Sequence, residues 1–83
     1  MYYRTRINEL RRKRALEENR DVTLTEIARS VGVSRQTIHR YANKALMPSF
    51  EIAVRLADYF GVSIEELLVP ADDQGQEVAV AAP

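Results

Sequence analysis

Residues 23–41 read "TLTEIARSVGVSRQTIHRY", two short amphipathic segments joined through a glycine. Thr23 followed by Glu26 has the spacing of a capping box: the Thr hydroxyl accepts from the third-residue amide while the Glu side chain reaches back to the cap's own amide. It opens a helix through Ile27, Ala28 and Val31, which Gly32 ends by taking a positive φ. Ser34 is the next N-cap candidate, and Ile38, Tyr41, Ala42 and Ala45 then line one side of a second helix over about 34–45. A helix, a turn of roughly three or four residues and a second helix are the sequence form of a helix-turn-helix. Small Ala28 permits a close crossing, Gly32 permits the reversal, and Val33 plugs the corner.

Those residues have packing to do, whereas the polar residues of the second helix do not. With Ile38 set at zero and about 100° per residue, Asn43, Gln36 and Arg40 project at about 140°, 160° and 200°, flanked by His39 near 100° and Lys44 near 240°. They form one outward stripe. A major groove about 12 Å wide accepts a helix, and these side chains suit its edges: Gln pairs bidentately with adenine and Arg with guanine, while Asn and Lys grip phosphate. An exposed helix face is polar in any case, so the stripe by itself reads equally as a solvated surface.

Working outward, Tyr3, Ile7 and Leu10 fall at i, i+4 and i+7 and indicate an amphipathic helix over 4–18, whose other faces carry Arg6, Arg11, Arg12, Lys13 and Arg14. Ser49, just after Pro48, caps a fourth helix through Ile52, Ala53, Leu56, Tyr59 and Phe60 that stops at Gly61. Ser63 with Glu66 makes another capping box and starts a short fifth helix ending near Val69. Five helices with almost no strand signal indicate an all-α domain over 1–69. From Pro70 onward, "PADDQGQEVAVAAP" reads as a tail over 70–83 that is disordered or serves as a dimer arm, with a strand from Val78 and Val80 the lesser possibility.

At 83 residues the chain is one small domain with a modest core and little room for a large catalytic cleft. It has no cysteine, which excludes disulfides and thiolate metal sites and permits a reducing compartment. The start, Met1-Tyr2-Tyr3-Arg4, lacks the apolar stretch of a signal peptide, and no apolar run approaches the roughly 18 residues of a membrane span; a cytoplasmic protein with no membrane partner is expected. His39 is the single histidine and has no evident carboxylate partner, and neither a Gly-rich phosphate loop nor a metal-ligand cluster is present. No enzyme activity, cofactor or metal is expected.

The net charge of zero hides a gradient. Residues 1–20 carry seven Lys/Arg against three Asp/Glu, residues 21–48 four against two, and residues 49–83 one against seven. A basic front with an acidic back can draw a polyanion to one face, and it can equally be two solvated surfaces of opposite sign.

From Ile7 to about Val69 the sequence resembles the phage-repressor, Cro-like or Xre-type helix-turn-helix family of transcription regulators. The motifs that carry the resemblance are "TLTEIARSVGVSRQTIHRY" and "PSFEIAVRLADYFGVSIEELL", with the "FGVS.EELL" finish of the family's fifth helix. The resemblance implies a five-helix fold and sequence-specific binding of double-stranded DNA. The helix over about 34–45 would be the recognition helix in the major groove, with Arg35, Gln36 and Arg40 facing bases and Thr37 and His39 at their margin. It also implies phosphate contacts from the start of the second helix, Thr23 to Thr25, from Ser34 and Thr37, and from the loop around Asn43, Lys44 and Ala45.

Three departures stand out against that family. Leu24 replaces the usual Gln after the second helix's cap. Ala42 replaces an acidic residue, so an ion pair to Arg11 cannot form, and Lys44 replaces a glycine, leaving Asn43 or Lys44 to take any left-handed cap. "EENRDV", residues 17–22, reads as an insertion of about six residues between the first two helices.

One recognition helix reads few base pairs, and helix-turn-helix proteins usually bind pseudo-palindromic operators as dimers with half-sites ~34 Å apart. A homodimer is therefore expected, with Phe50, Ile64, Leu67, Leu68 and Val69 as interface candidates, at least half of which belong in the core instead. The rival function is a protein-interaction or antitoxin-like helix-turn-helix module that binds a protein partner through its acidic half. Leu24, Ala42 and the neutral charge favour that rival, and Gln36 and the basic face count against it.

Overall fold

The computed structural model describes residues 2–44 and 46–72. Its elements run β1 (Tyr2–Thr5), α1 (Ile7–Glu18), α2 (Leu24–Val31), α3 (Arg35–Asn43), α4 (Phe50–Phe60), α5 (Ile64–Leu67) and β2 (Leu68–Ala71). Four of these helices start on a hydroxyl. Thr23, Ser34, Ser49 and Ser63 each hold an extended backbone and accept a proton from the amide three residues on, at Glu26, Thr37, Ile52 and Glu66. Helix ends are as local: Gly32 (φ 80°) and Gly61 (φ 67°) close α2 and α4 in the left-handed region, and Asn19 (φ 51°) closes α1.

Each helix contributes to one core. Ile7 of α1, Ile27, Ala28 and Val31 of α2, Ile38 and Ala42 of α3, Ala53, Leu56 and Ala57 of α4 and Leu67 of α5 pack together with Val22. Ala28 and Gly32 sit where the sequence reading places them, and half-buried Val33 packs on this cluster from the turn. Arg55 of α4 donates to the carbonyl of Val31, which fixes α4 against the end of α2. The fold is largely all-α, with a small two-stranded sheet added.

That sheet corrects the reading at both ends of the chain. The first helix begins at Ile7 rather than at residue 4, because Tyr2–Thr5 pair antiparallel with Leu68–Ala71, Tyr2 opposite Ala71 and Thr5 opposite Leu68. The fifth helix stops at Leu67, short of Val69, for the same reason. "YYRT" is rich in aromatic and β-branched residues, and its partner was hidden by distance along the chain. Pro70, expected at the head of a disordered tail, and Ala71 belong to β2; a proline is tolerated there because a two-stranded sheet leaves each strand one unpaired edge. The remainder of the tail, 73–83, and with it Val78 and Val80, lies outside the described residues.

Candidate nucleic-acid interface

The start of α3 is built by its own sequence. Ser34 Oγ accepts from the Thr37 amide at 3.0 Å and donates to Thr37 Oγ1 at 2.8 Å, so the two hydroxyls expected at phosphate are joined at the helix start. The helix then runs nine residues to Asn43, not to Ala45, which lies outside the described residues. Ile38 is fully buried, Ala42 is buried and Tyr41 is half-buried, which leaves Arg35, Gln36, His39 and Arg40 exposed together. These four side chains line an open surface hollow of about 530 Å³. None of them makes a hydrogen bond or ion pair with another described residue, and neither does the Lys44 side chain.

Part of the remaining positive charge is paired within the fold. Arg4 pairs with Glu9 at 3.5 Å, Arg14 with Glu18 at 3.4 Å, and Arg20 with both Glu18 at 2.8 Å and Glu26 at 2.9 Å. Arg14 also lies over the Tyr59 ring, 4.6 Å from its centroid. The basic front is thus partly neutralised within the fold, while the cations of α3, like exposed Arg12, Lys13 and Arg29, have no ion-pair partner among the described residues. Arg20 and the left-handed Asn19 organise the inserted stretch, whose Val22 is fully buried in the core.

At the start of α2, Thr23 and Thr25 are exposed, and the first amides of the helix lack intrahelical acceptors. One carboxylate, Glu26, stands in the first turn. Glu26 is held below the usual carboxylate range by the Arg20 guanidinium and by the Thr23 backbone amide, the reach-back of the capping box. Arg20 is correspondingly pushed up by Glu26 and Glu18. Leu24, in the place of the family's Gln, is half-buried and packs on the core.

The far end of α3 differs from expectation. Neither Asn43 nor Lys44 adopts a left-handed cap: Asn43 is the last helical residue, and Lys44 turns directly to an extended backbone at φ −127° and ψ 160°. The Asn43 amide, expected at phosphate, donates to the carbonyl of His39 at 3.0 Å and accepts from Asn8 at 3.0 Å. Asn8 also donates to the Ala42 carbonyl at 3.2 Å, and Thr5 donates to the Tyr41 carbonyl at 2.7 Å. Arg11, left without an acidic partner at Ala42, binds Asn8 Oδ1 and the Val22 carbonyl. Thr5 and Asn8 were missed by the sequence reading, since no local pattern announces contacts 36 and 34 residues away.

The interface candidates divide. Leu67 and Val69 are core residues and cannot form an exposed face, Ile64 and Leu68 are partly buried against the core, and Phe50 is 78% exposed, with Met47, three residues earlier, also exposed. Among the described residues no group of His, Asp or Glu is arranged to hold a metal, and no helix is long and apolar enough to cross a membrane.

A family model described as helix-turn-helix (HTH_3) matches residues 10–67, from mid-α1 to the end of α5. The chain belongs to the Cro-like, Xre-type helix-turn-helix family of transcriptional regulators. It is 37% identical over 67 residues to an uncharacterized HTH-type transcriptional regulator of Methanocaldococcus jannaschii, covering 81% of this chain and 97% of that one. A second such regulator, from Archaeoglobus fulgidus, is 35% identical over 71 residues, 86% of this chain and 93% of its own. Among solved structures, that of a proposed DNA-binding protein from Bacteroides fragilis superposes with a TM-score of 0.61 at 26% identity, over 80% of this chain and 97% of that chain. For this helix-turn-helix chain the matched region includes all of α2 and α3 and the turn between them.

Proposed function

We propose that this helix-turn-helix protein is a cytoplasmic transcription regulator that binds double-stranded DNA sequence-specifically, without catalysis or a cofactor. It inserts α3 into the major groove, where Arg35, Gln36, His39 and Arg40 meet base edges. Thr23 and Thr25 at the start of α2, the joined hydroxyls of Ser34 and Thr37, and Lys44 after α3 meet phosphates on either side. Asn43 serves mainly to close α3. The observation that carries this reading is the set of four unpaired polar side chains exposed together on a helix capped at both ends by protein groups. Such a helix offers its donors and acceptors without having to break internal bonds first.

The protein acts as a homodimer on a pseudo-palindromic operator, with the exposed apolar surface at Phe50 and Met47 as the contact nearest to the expected interface. Selection of bound sites from a random duplex pool tests both parts at once. The expected product is a two-fold symmetric motif whose affinity falls with salt by about 0.9 in log K per log salt for each phosphate contact. A pool that shows no enrichment sinks the DNA reading and favours the protein-interaction module; an enriched but asymmetric motif, with one chain's mass in light scattering on DNA, sinks the dimer alone.

A further inference from the structure

We infer that Thr5 and Asn8 are positioning residues for base recognition: from outside α3 they cap its last turn and thereby hold the reading side chains at a fixed depth and rotation. This rests on the proposed reading of α3 as the base-reading helix. The last carbonyls of any α-helix lack intrahelical donors. In α4 the answer is local, with Gly61 and Val62 returning their own amides to the final turn, and in α2 the amides of Gly32 and Val33 do the same while Arg55 takes the last carbonyl, that of Val31. In α3 the chain leaves the helix at Lys44 in an extended conformation, and among the described residues only the Arg40 carbonyl of the last turn finds a following amide, that of Lys44 at 2.9 Å. The Tyr41 and Ala42 carbonyls are taken by Thr5 Oγ1 and Asn8 Nδ2.

Both donors are themselves held. Thr5 is 1% exposed and fixed in β1 opposite Leu68, so its hydroxyl and the Tyr41 carbonyl meet away from water. Asn8 has its amide orientation set by Arg11, which donates to Oδ1 and leaves Nδ2 for α3, and Arg11 is anchored in turn on the Val22 carbonyl. The network continues through Asn43 to the backbone of His39, a reading residue. Bidentate contacts to bases demand close distance and alignment, whereas contacts to phosphate tolerate displacement. Loosening the cap should therefore erode discrimination between sequences and spare general affinity for DNA.

The full-length chain carries the test. Thr5→Val keeps the shape and removes the hydroxyl, Thr5→Ser keeps the hydroxyl, and Asn8→Ala removes the half-exposed donor without touching the core. Each is measured for affinity on the selected duplex and on a scrambled one across salt, and for amide exchange in the last turn of α3. We expect Thr5→Val and Asn8→Ala to narrow the ratio of the two affinities about tenfold and to speed exchange at residues 41–44. Affinity for the scrambled duplex should hold within about twofold with its salt slope unchanged, and Thr5→Ser should match wild type. An unchanged ratio, an equal loss on both duplexes, or Thr5→Ser behaving like Thr5→Val overturns the inference. Should Thr5→Val fail to fold, Asn8→Ala decides. A wild-type chain that prefers no duplex defeats the reading of α3 itself; a discriminating wild type with indifferent variants defeats only the positioning role.

Discussion

Gln36 and Lys44 separate two kinds of contact that any DNA-binding surface must combine. Gln36 is exposed in the middle of the proposed reading cluster, and Gln36→Ala should relax preference by ~1–3 kcal/mol at one base position in a site-by-site binding profile. Lys44 stands beyond the last turn, and Lys44→Ala should weaken all duplexes about equally and lower the salt slope by about 1. Glu26 gives a pH handle that is independent of DNA. Its folded pKa is depressed by Arg20, so its contribution to stability is complete above the ordinary carboxylate pKa and is lost as pH falls through the lower folded value. An NMR titration should place its midpoint below the ordinary carboxylate value, and Arg20→Gln should move it back up. At this scale the sequence was legible wherever a side chain acts on its own helix: Ser34, Thr23 and the exposed stripe are all local periodicity or capping. It was illegible at Thr5 and Asn8, whose partners are chosen by tertiary packing, and misleading at Leu67 and Val69, where apolar character did not say whether another chain or the core covers it.

Elements are where the capping chemistry has its effect. Gly32 holds φ 80°, and a Cβ there would also meet Arg55 Nη1 at 3.1 Å, the same nitrogen that binds the Val31 carbonyl. Gly32→Ala should therefore destabilise the domain by ~1–2 kcal/mol in denaturant titration, against a negligible change if the turn could adopt negative φ. Ser34→Ala removes the acceptor at the start of α3 and should cost about 1 kcal/mol by the same measurement. The helices could be read because four of the five announce their start with a hydroxyl and most announce their end with a residue suited to positive φ. The strands could not, since a four-residue segment carries too little alternation to stand out, and Tyr3 at i, i+4 from Ile7 imitated a helical face.

The whole molecule joins its helices by short links but its sheet by a pairing between residues near opposite ends of the chain. Contacts so distant in sequence repay their loop-closure entropy only after the intervening helices have docked. Native-state hydrogen exchange should accordingly find the amides of Arg4 and Val69 less protected than those of buried Ile27 and Leu56, at denaturant concentrations where the helices persist. Equal protection throughout would mean that the sheet opens only with the global transition. Thr5 sits in that sheet and also closes α3. Sheet and α3 therefore share a fate: if α3 reads bases as proposed, gentle warming or dilute urea should blunt sequence discrimination while helical circular dichroism stays at its folded value, so that spectroscopic foldedness overstates the fraction of molecules competent to find their site.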